Sequence, residues 1–326
     1  MKKQILVAGG AGYIGSHCVR YLINKGYYPV TLDNLSRGHS DSVNGSEMIK
    51  ADLSRPDQIR TVFANHDFYG VMHFAAYCYV GESFENPAAY YGNNVANIIN
   101  LLNVMRSFHV SNIIFSSTCA TYGLPVQMPI SEDHPQNPVS PYGKSKLMCE
   151  QIIKDYSSAY GMNYIFFRYF NASGANISAD IGERHKPETH LIPLALRTAL
   201  GLEPSLKILG TDYDTPDGTC IRDYIHVDDI ASAHLLGLNY LAENGINDMF
   251  NLGNGNGYSV KEVVETCREV TGIDIPTVKS ERRPGDPSKL IASAEKVRNV
   301  LGWDVKYLNL KDIVSTAWQW HKKAEK

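Results

Sequence analysis

The first strand of this chain ends in a cluster of glycines, and this cluster constrains the fold more than any other feature. Residues 4–8 form a short apolar stretch rich in branched side chains, and residues 9–15 (Gly-Gly-Ala-Gly-Tyr-Ile-Gly) follow at once. Residues 16–23 then carry apolar side chains at helical spacing. Glycines between a strand and a helix let the backbone approach a pyrophosphate, whose charge the helix N-terminus favours. We therefore predict a dinucleotide-binding βαβ unit that begins at residue 4.

The second predicted strand completes this signature. Residues 28–32 are mostly apolar and end at Asp33, about 20 residues past the glycines, where a carboxylate meets the adenosine ribose. Such a carboxylate accepts hydrogen bonds from the ribose hydroxyls and repels a 2′-phosphate, so Asp33 favours NAD. Two alternatives stay open: Arg37 is near enough in the sequence to bind that phosphate, and Asp33 could be an ordinary turn acid. NAD is the preferred interpretation.

Charge and the spacing of cysteine and histidine argue against several other classes of protein. With 31 Lys and Arg against 34 Asp and Glu in 326 residues, the net charge of −3 gives no electrostatic case for nucleic-acid or membrane binding. No apolar run approaches the ~20 residues of a membrane span. The six cysteines show no metal-type spacing and are typical of free thiols in the cytoplasm. The eleven histidines form no pair at ligand spacing on a predicted helix, so we predict no metal site.

Short apolar strands alternate with helical segments through the first half of the chain. The predicted strands are residues 4–8, 28–32, 47–50, 70–74, 112–116 and 163–167, and the clearest predicted helices are residues 93–108, 190–200, 227–241 and 310–322. This alternation predicts an α/β fold, a Rossmann-type doubly wound parallel sheet with a smaller, mixed α/β C-terminal domain. We assign residues 1–170 to the cofactor domain and 171–326 mainly to the substrate domain, with segments that can cross between them.

A tyrosine and a lysine follow a predicted helix start. Ser140 and Pro141 are a typical N-cap and first-turn pair, so Tyr142 and Lys146, four residues apart, share one helix face. A lysine ammonium and a nearby nicotinamide cation would both favour phenolate and lower the tyrosine pKa from ~10. Tyr142 could then accept a proton from a sugar or alcohol hydroxyl. The alternative is a solvent-facing tyrosine beside an unrelated lysine.

The predicted strand at residues 112–116 leads into polar residues. Hydroxyl groups in residues 116–121 follow it, and the carboxyl end of a parallel strand faces the crevice in which ligands bind. We expect Thr118 to hydrogen-bond the reacting hydroxyl and relay its proton. The other hydroxyls fit a simpler role as caps of the strand.

Taken together, these motifs resemble those of the extended short-chain dehydrogenases/reductases, and in particular of the UDP-glucose (UDP-galactose) 4-epimerase family. The resemblance extends over nearly the whole chain. The matching stretches are residues 9–15, 32–35, 73–76, 90–95, 116–123, 140–146, 168–171, 218–227 and 282–286. The glycine and Tyr-x-x-x-Lys motifs belong to the superfamily, whereas residues 217–227 and 282–286 are far more particular to the epimerases.

This resemblance implies an isomerase that interconverts UDP-galactose and UDP-glucose through a 4-keto intermediate, with NAD as resident cofactor. It implies that Tyr142 takes the proton of the sugar 4-hydroxyl, that Lys146 orients the cofactor ribose and tunes Tyr142, and that Thr118 assists. The cofactor-binding positions that it implies are Gly9, Gly12, Tyr13, Ile14, Gly15, Asp33, Asn34, Ser36, Asp52, Leu53, Phe74, Ala75, Ala76, Asn93, Tyr142, Lys146 and Tyr169. The substrate-binding positions that it implies are Thr118, Tyr142, Phe170, Asn171, His190, Leu191, Leu209, Arg222, Arg283, Asp286 and Leu290.

Two positions depart from the family pattern. Many relatives carry a lysine near the substrate phosphates where this chain has Cys78. Leu290 replaces the tyrosine that lines the sugar pocket of galactose-restricted members, and the smaller side chain could admit an N-acetyl group. The resemblance also implies a cytoplasmic homodimer.

Two other functions remain as alternatives. A nucleotide-sugar 4,6-dehydratase shares the fold and the Tyr-Lys pair but needs an acid pair directly after the strand-end threonine, where this chain has Cys119 and Ala120. Sugar-acid decarboxylases generally place a glutamate there, so the same positions argue against them. A non-catalytic NAD sensor would have little use for Tyr142, Lys146 and Thr118 together.

Overall fold

A seven-stranded parallel sheet forms the centre of the molecule, in a computed structural model that describes residues 2–283 and 285–324. The strands of the chain are β1 (Gln4–Ala8), β2 (Tyr28–Asp33), β3 (Glu47–Lys50), β4 (Phe68–His73), β5 (Asn112–Thr118), β6 (Asn163–Tyr169), β7 (Asn171–Ser173), β8 (Leu206–Leu209), β9 (Ile221–His226), β10 (Asp248–Leu252), β11 (Gly257–Ser259), β12 (Thr277–Ser280) and β13 (Lys289–Leu290). The central sheet has the order β10-β6-β5-β4-β1-β2-β3, and its neighbouring strands pair in parallel.

Helices cover both faces of this sheet and build the C-terminal region. They are α1 (Tyr13–Asn24), α2 (Pro56–Ala64), α3 (Val80–Glu85), α4 (Pro87–Tyr90), α5 (Asn97–Ser107), α6 (Pro141–Tyr160), α7 (Leu191–Ala199), α8 (Val227–Asn244), α9 (Val260–Thr271), α10 (Glu295–Leu301) and α11 (Leu310–Ala324). Within the described residues no helix combines the length and the apolar character needed to cross a membrane.

The two faces of the sheet pack into separate apolar cores. In β1, Ile5 and Val7 join the core under α1 and α8, whereas Leu6 and Ala8 join the core under α2, α5 and α6. A strand that is covered on both faces carries apolar side chains at nearly every position, and residues 4–8 show this pattern. The predicted Rossmann-type, doubly wound parallel sheet is therefore confirmed.

The predicted elements agree with the structure except in detail. All six predicted strands are present; β5 and β6 each run two residues further than predicted, to Thr118 and Tyr169. The predicted helix at residues 93–108 was wrong at its start, because residues Tyr91–Ala96 form a π-helical segment before α5. Such a widened turn typically marks a functional site, and apolar periodicity alone does not reveal it.

Part of the C-terminal half forms a second, smaller sheet, and another part packs against the central sheet. A small sheet of β11, β9 and β13, with β7 beside β9, lies next to a core shared by α7, α9 and α11. After β9 the chain re-enters the central sheet: α8 packs against α1, and β10 pairs with β6. The edges of the two units thus meet where β5 and β6 end.

A buried ion pair fixes α6 to the sheet. The guanidinium of Arg168 on β6 donates through Nε to Glu150 Oε1 (2.9 Å) and through Nη2 to Oε2 (2.6 Å), and both side chains are at most 1% exposed. The Ser117 hydroxyl on β5 donates to the same carboxylate at 2.5 Å. One carboxylate on the helix therefore connects two neighbouring strands.

We predict that Arg168→Leu lowers the free energy of unfolding by about 3–5 kcal/mol, because it leaves the Glu150 charge buried without its partner. Lys311→Ala is the matched control, since Lys311 and Glu269 pair at 3.8 Å with side chains 64% and 66% exposed. Such an exposed pair contributes about 0–1 kcal/mol. Urea unfolding followed by circular dichroism measures both values, and similar losses in the two variants would contradict the prediction.

Candidate functional site

The glycine segment forms a tight turn between β1 and α1. Gly9 has a φ of +77°, and a Cβ there would lie 2.4 Å from the backbone nitrogen of Ala75, just beyond β4. A Cβ on Gly15 would lie 2.3 Å from the Gly9 carbonyl oxygen. Glycine at these two positions is thus demanded by the packing of the protein itself.

Gly12 has a different reason to be glycine. It is the N-cap of α1 with an ordinary φ of −76°, and within the described chain a Cβ there would meet nothing closer than the Gly9 carbonyl, at 3.4 Å. Ser16 is the first helical residue whose N–H bonds back to Gly12, so the amides of Tyr13, Ile14 and Gly15 lie in the unpaired first turn. An open backbone surface with free donors fits the pyrophosphate of NAD.

Asp33 ends β2 beside this turn, as predicted. Its carboxylate accepts hydrogen bonds from the backbone N–H of Ala11 (3.0 Å) and of Leu35 (2.8 Å), which orient it at the edge of the sheet. Burial raises the pKa of this carboxyl, and the two backbone donors oppose the rise. Arg37, the rival phosphate ligand, donates from Nη2 to both oxygens of Glu82 at 2.7 Å. Its guanidinium also lies over the Tyr77 ring, 4.4 Å from the ring centre, so in the protein alone Arg37 is engaged by Glu82 and Tyr77.

The other positions expected to contact the adenosine lie beyond β2 and β3. The Asn34 amide donates to Asp52 Oδ2 at 2.9 Å, and the backbone N–H of Ser36 donates to Asn34 Oδ1 at 3.0 Å. Leu53 is buried directly after Asp52, and its carbonyl accepts from Asn100. These side chains share the carboxyl edge of the sheet with Asp33.

The centre of the sheet brings the remaining cofactor positions together. Phe74, Ala75 and Ala76 follow β4, and the N–H groups of Phe74 and Ala75 both donate to the Ala8 carbonyl. Tyr169 ends β6, and its hydroxyl contacts the Ser116 hydroxyl on β5. Asn93 lies in the π-helical segment.

The predicted catalytic helix begins where expected. The Ser140 hydroxyl accepts from the Gly143 N–H at 3.1 Å and Pro141 is the first residue of α6, so Tyr142 and Lys146 stand one above the other on its inner face. Lys146 is 2% exposed, and its ammonium donates to the Ser116 carbonyl at 2.8 Å. The helix face is thereby tied to the end of β5.

The electrostatics of this pair differ from the sequence-based expectation. Burial raises the pKa of the Tyr142 phenol well above its usual value, and a hydrogen bond with the Thr118 side chain only partly opposes this. Burial also lowers the pKa of Lys146 to about 8. The protein alone therefore keeps Tyr142 protonated, and the ionised form needs a further positive charge beside it.

Thr118 lies at the carboxyl end of β5, as predicted. Its hydroxyl accepts from the N–H of Ala120 at 3.1 Å, which caps the short 3-10 turn Cys119–Thr121, and it also hydrogen-bonds the Tyr142 phenol. Cys119 follows it, and burial raises the pKa of that thiol to about 12. A thiol with this pKa stays protonated near neutral pH.

Most of the predicted substrate residues surround the ends of β6, β7 and β9. Phe170 and Leu290 belong to one apolar cluster with Cys119, and Leu290 pairs with Arg222 across β13 and β9. The Arg222 guanidinium donates to Asp286 Oδ1 at 2.5 Å. In the central sheet β6 and β1 lie on opposite sides of β5, so Phe170 and the glycine turn follow strands on opposite sides of Thr118.

Four other predicted substrate residues come from separate segments. Asn171 opens β7 and donates to the Asp223 carbonyl at 2.8 Å, whereas His190 is the N-cap of α7 and Leu191 its first residue. Leu209 is more distant, since it ends β8 and pairs with Ser280 on β12, three residues before Arg283.

Sequence reasoning missed Asn94. Its side chain accepts from the Tyr77 N–H (2.8 Å) and donates to the Tyr77 carbonyl (3.1 Å) and to the Ser145 hydroxyl (3.0 Å). It thus joins the segment after β4 to α6, next to Lys146. The available signal was the Asn93-Asn94 pair inside an otherwise apolar helical pattern.

A second missed feature is a cluster of acidic and imidazole side chains in the loop before α7. Glu183, His185, Glu188 and His190 each offer one polar atom, and these atoms lie within 4.8 Å of one another. A histidine pair at helical spacing was the expected sign of a metal site, whereas these residues alternate in a loop.

Comparisons with known proteins agree with this geometry. The NAD dependent epimerase/dehydratase family matches residues 5–253. The UDP-glucose 4-epimerase of Halalkalibacterium halodurans is 49% identical, over 98% of this chain and 95% of that protein. The crystal structure of UDP-glucose 4-epimerase from Brucella ovis in complex with NAD is 46% identical, with a TM-score of 0.95 over 97% of each chain. The UDP-Glc/GlcNAc 4-epimerase from Campylobacter jejuni is 43% identical, with a TM-score of 0.86 over 98% of this chain and 99% of that one. These similarities confirm the resemblance inferred from the motifs.

We predict that Gly12→Ala weakens NAD binding at least 10-fold while the fold stays stable, because the added methyl group would occupy the surface that the pyrophosphate approaches. Gly15→Ala should instead destabilise the protein by about 1–3 kcal/mol, as overpacking does. The NAD content of the purified variants and their Tm values separate the two effects. Unchanged NAD binding in Gly12→Ala would contradict the assigned role of this turn.

Proposed function

The chain belongs to the NAD-dependent epimerase/dehydratase family, and from this premise we propose that it interconverts UDP-glucose and UDP-galactose by inverting the configuration at C4. The observation that carries the proposal is the meeting of Thr118, Tyr142 and Lys146 at the end of β5. The glycine turn follows β1, two strands from β5 in the central sheet, and Arg222, which pairs with Asp286, lies in register with Leu290, which packs with Cys119.

Tyr142 is proposed to accept the proton of the sugar 4-hydroxyl and later to return it. Bound NAD would supply the oxidising ring, whose positive charge favours phenolate and whose carbon takes the C4 hydride and returns it to the opposite face of the 4-keto sugar. Lys146, with its pKa near 8, carries a positive charge at pH 7 and supports the same ionisation. Thr118 hydrogen-bonds the phenol and would hold the 4-hydroxyl in line with it.

The substrate would be held by its nucleotide. Arg222 and Arg283 suit the diphosphate, because guanidinium groups make strong charge-assisted contacts with phosphate oxygens. In the protein alone the Arg222 guanidinium is already positioned by Asp286, which we propose contacts the uridine ribose. If the substrate is anchored through UDP, with few contacts to the hexose, the keto sugar could rotate in the site between the two hydride transfers.

The alternatives fit less well. A 4,6-dehydratase needs an acid and a base directly after Thr118, but Ala120 has no ionisable group and the Cys119 thiol stays protonated. A non-catalytic NAD sensor would not require a buried lysine beside a buried tyrosine, an arrangement whose desolvation is costly.

Leu290 bears on the breadth of substrates. It lines the apolar cluster of Phe170 and Cys119, beside Thr118, where a larger side chain would project toward the sugar. The Campylobacter jejuni protein acts, by its name, on both UDP-Glc and UDP-GlcNAc. We propose that this chain also accepts UDP-N-acetyl-hexosamines.

Three further expectations stand as proposals. The cofactor unit comprises residues 1–170, joined by α8 and β10 from the substrate unit of residues 171–326. The protein is proposed to be a homodimer, which light scattering after size-exclusion chromatography would measure. A cytoplasmic location, expected from the cysteines, would be tested by fractionation of the source cells.

We predict that Tyr142→Phe lowers kcat at least ~10²-fold with NAD still bound, because the general base is lost while the ring remains. Tyr160→Phe, at the exposed end of the same helix, is the control and should keep full activity. A coupled assay for UDP-glucose formed from UDP-galactose measures both. Near-normal turnover of Tyr142→Phe would remove this residue from the mechanism.

We predict that Leu290→Tyr loses activity on UDP-N-acetylgalactosamine at least 10-fold more than on UDP-galactose, because the larger ring fills the space for the acetamido group. Leu308→Tyr, at an exposed position, should alter neither. The comparison uses kcat/KM for both substrates. Equal losses, or a wild type inactive on the N-acetylated sugar, would refute the proposed breadth.

A further inference from the structure

We propose that Glu183, His185, Glu188 and His190 bind one zinc ion, or a chemically similar divalent transition-metal ion, in the loop before α7. The four residues lie within eight positions of one another, in the pattern Glu-x-His-x-x-Glu-x-His. Each offers one ligand atom, and these atoms lie within 4.8 Å of one another. The inference does not rest on the proposed epimerase activity, although His190 is also a predicted substrate-binding position.

The distances fit a four-coordinate ion. His190 Nδ1 lies 2.7 Å from Glu183 Oε1 and 3.0 Å from Glu188 Oε1. His185 Nδ1 lies 3.0 Å from Glu183 Oε1 and 3.7 Å from Glu188 Oε2. In a tetrahedral site with bonds of about 2.0–2.1 Å, neighbouring ligand atoms are about 3.3 Å apart, which lies between the shortest of these distances and the 4.8 Å within which all four ligand atoms fall. Small movements of the side chains would place all four around one centre.

The charge of the cluster also favours a divalent cation. The side chains of Glu183 and Glu188 are 5% and 7% exposed, and two carboxylates buried together need compensating positive charge. Protonating both imidazoles would provide it, but their ring centres are 5.2 Å apart, so two like charges would face each other. One divalent ion with two neutral imidazoles gives the same net charge without that repulsion. Two nitrogen and two carboxylate ligands suit zinc better than magnesium or calcium, which prefer oxygen alone.

Other groups hold the proposed ligands in place. The backbone N–H groups of Thr189 and His190 donate to Glu188 Oε1 at 2.8 and 2.9 Å. The Trp320 indole N–H donates to the Glu183 carbonyl at 3.0 Å, which fixes this part of the loop to α11. Outer contacts of this kind orient metal ligands and raise the affinity of a site.

The position of the cluster indicates a structural ion. The loop reaches the cofactor unit, since the Arg184 carbonyl contacts His39 Nε2 and the Arg184 guanidinium donates to Asp41. It ends at Leu191, where α7 begins. Four protein ligands leave no open coordination position for a reacting water. The ion would therefore lock the loop that joins the two units and set where His190 and Leu191 lie.

The test measures metal content and stability in the full-length, NAD-bound protein without a histidine tag. We expect about one zinc per chain by plasma mass spectrometry after gel filtration in chelator-free buffer. Removing the metal with a chelator should lower Tm by several degrees, and added Zn²⁺ should restore it. Cobalt substitution should give the visible absorption of tetrahedral Co²⁺.

Two variants locate the site. His185→Gln and Glu188→Gln should each lose the zinc and the cobalt absorption while they keep bound NAD, which shows that they are folded. His66→Gln is the matched control, because His66 Nε2 pairs with Glu47 at 3.2 Å but belongs to no such cluster. It should keep the metal.

The proposal is overturned if the wild type purifies without metal and neither Zn²⁺ nor Co²⁺ changes its Tm. Metal retained unchanged in both His185→Gln and Glu188→Gln would overturn it as well. Either result would mean that two protonated imidazoles, and no metal ion, neutralise the two carboxylates of this cluster.

Discussion

The buried pair of Glu150 and Arg168 is the contact on which the geometry of the site depends. Because Glu150 lies four residues after Lys146 and eight after Tyr142, these three side chains share one face of α6. The ion pair holds this face against β5 and β6, and Lys146 then reaches the Ser116 carbonyl. The net contribution of this pair to stability is small, because burying two charges costs desolvation of both side chains. Its main effect is to specify the orientation of α6. It fixes the rotation of the helix.

Both units of the molecule converge on this fixed face. The parallel strands all end at one edge, so the glycine turn, Asp33 and Thr118 lie along a single crevice. The small sheet contributes β7, β9 and β13, which carry the proposed substrate residues Asn171, Arg222 and Leu290. Phe170 connects the two, because its N–H donates to the Leu252 carbonyl at the end of β10. A cofactor and a nucleotide sugar can thus face each other across the end of β5.

Burial governs the electrostatics of this crevice. It lowers the pKa of Lys146, raises that of Tyr142 and keeps the Cys119 thiol protonated. The protein alone therefore holds a protonated phenol at Tyr142, and in the proposed mechanism its ionisation would depend on the positive charge of bound NAD. Glu183 and Glu188, in the loop at residues 183–190, are two further buried carboxylates, and they belong to the proposed metal site.

The sequence alone determined the local parts of this protein. The strand–glycine–helix turn, Asp33 at the end of β2 and the Tyr142–Lys146 spacing depend on chain geometry over a few residues, so they could be read directly. The strand alternation likewise gave the parallel sheet, because buried strands need continuous apolar runs. Only the tertiary structure decided which distant groups meet. It paired Arg37 with Glu82, Arg222 with Asp286 and Asn94 with Ser145, and it folded a loop so that four alternating side chains converge. These contacts depend on loop paths and on helix rotation, which are set by packing against segments far away in the chain.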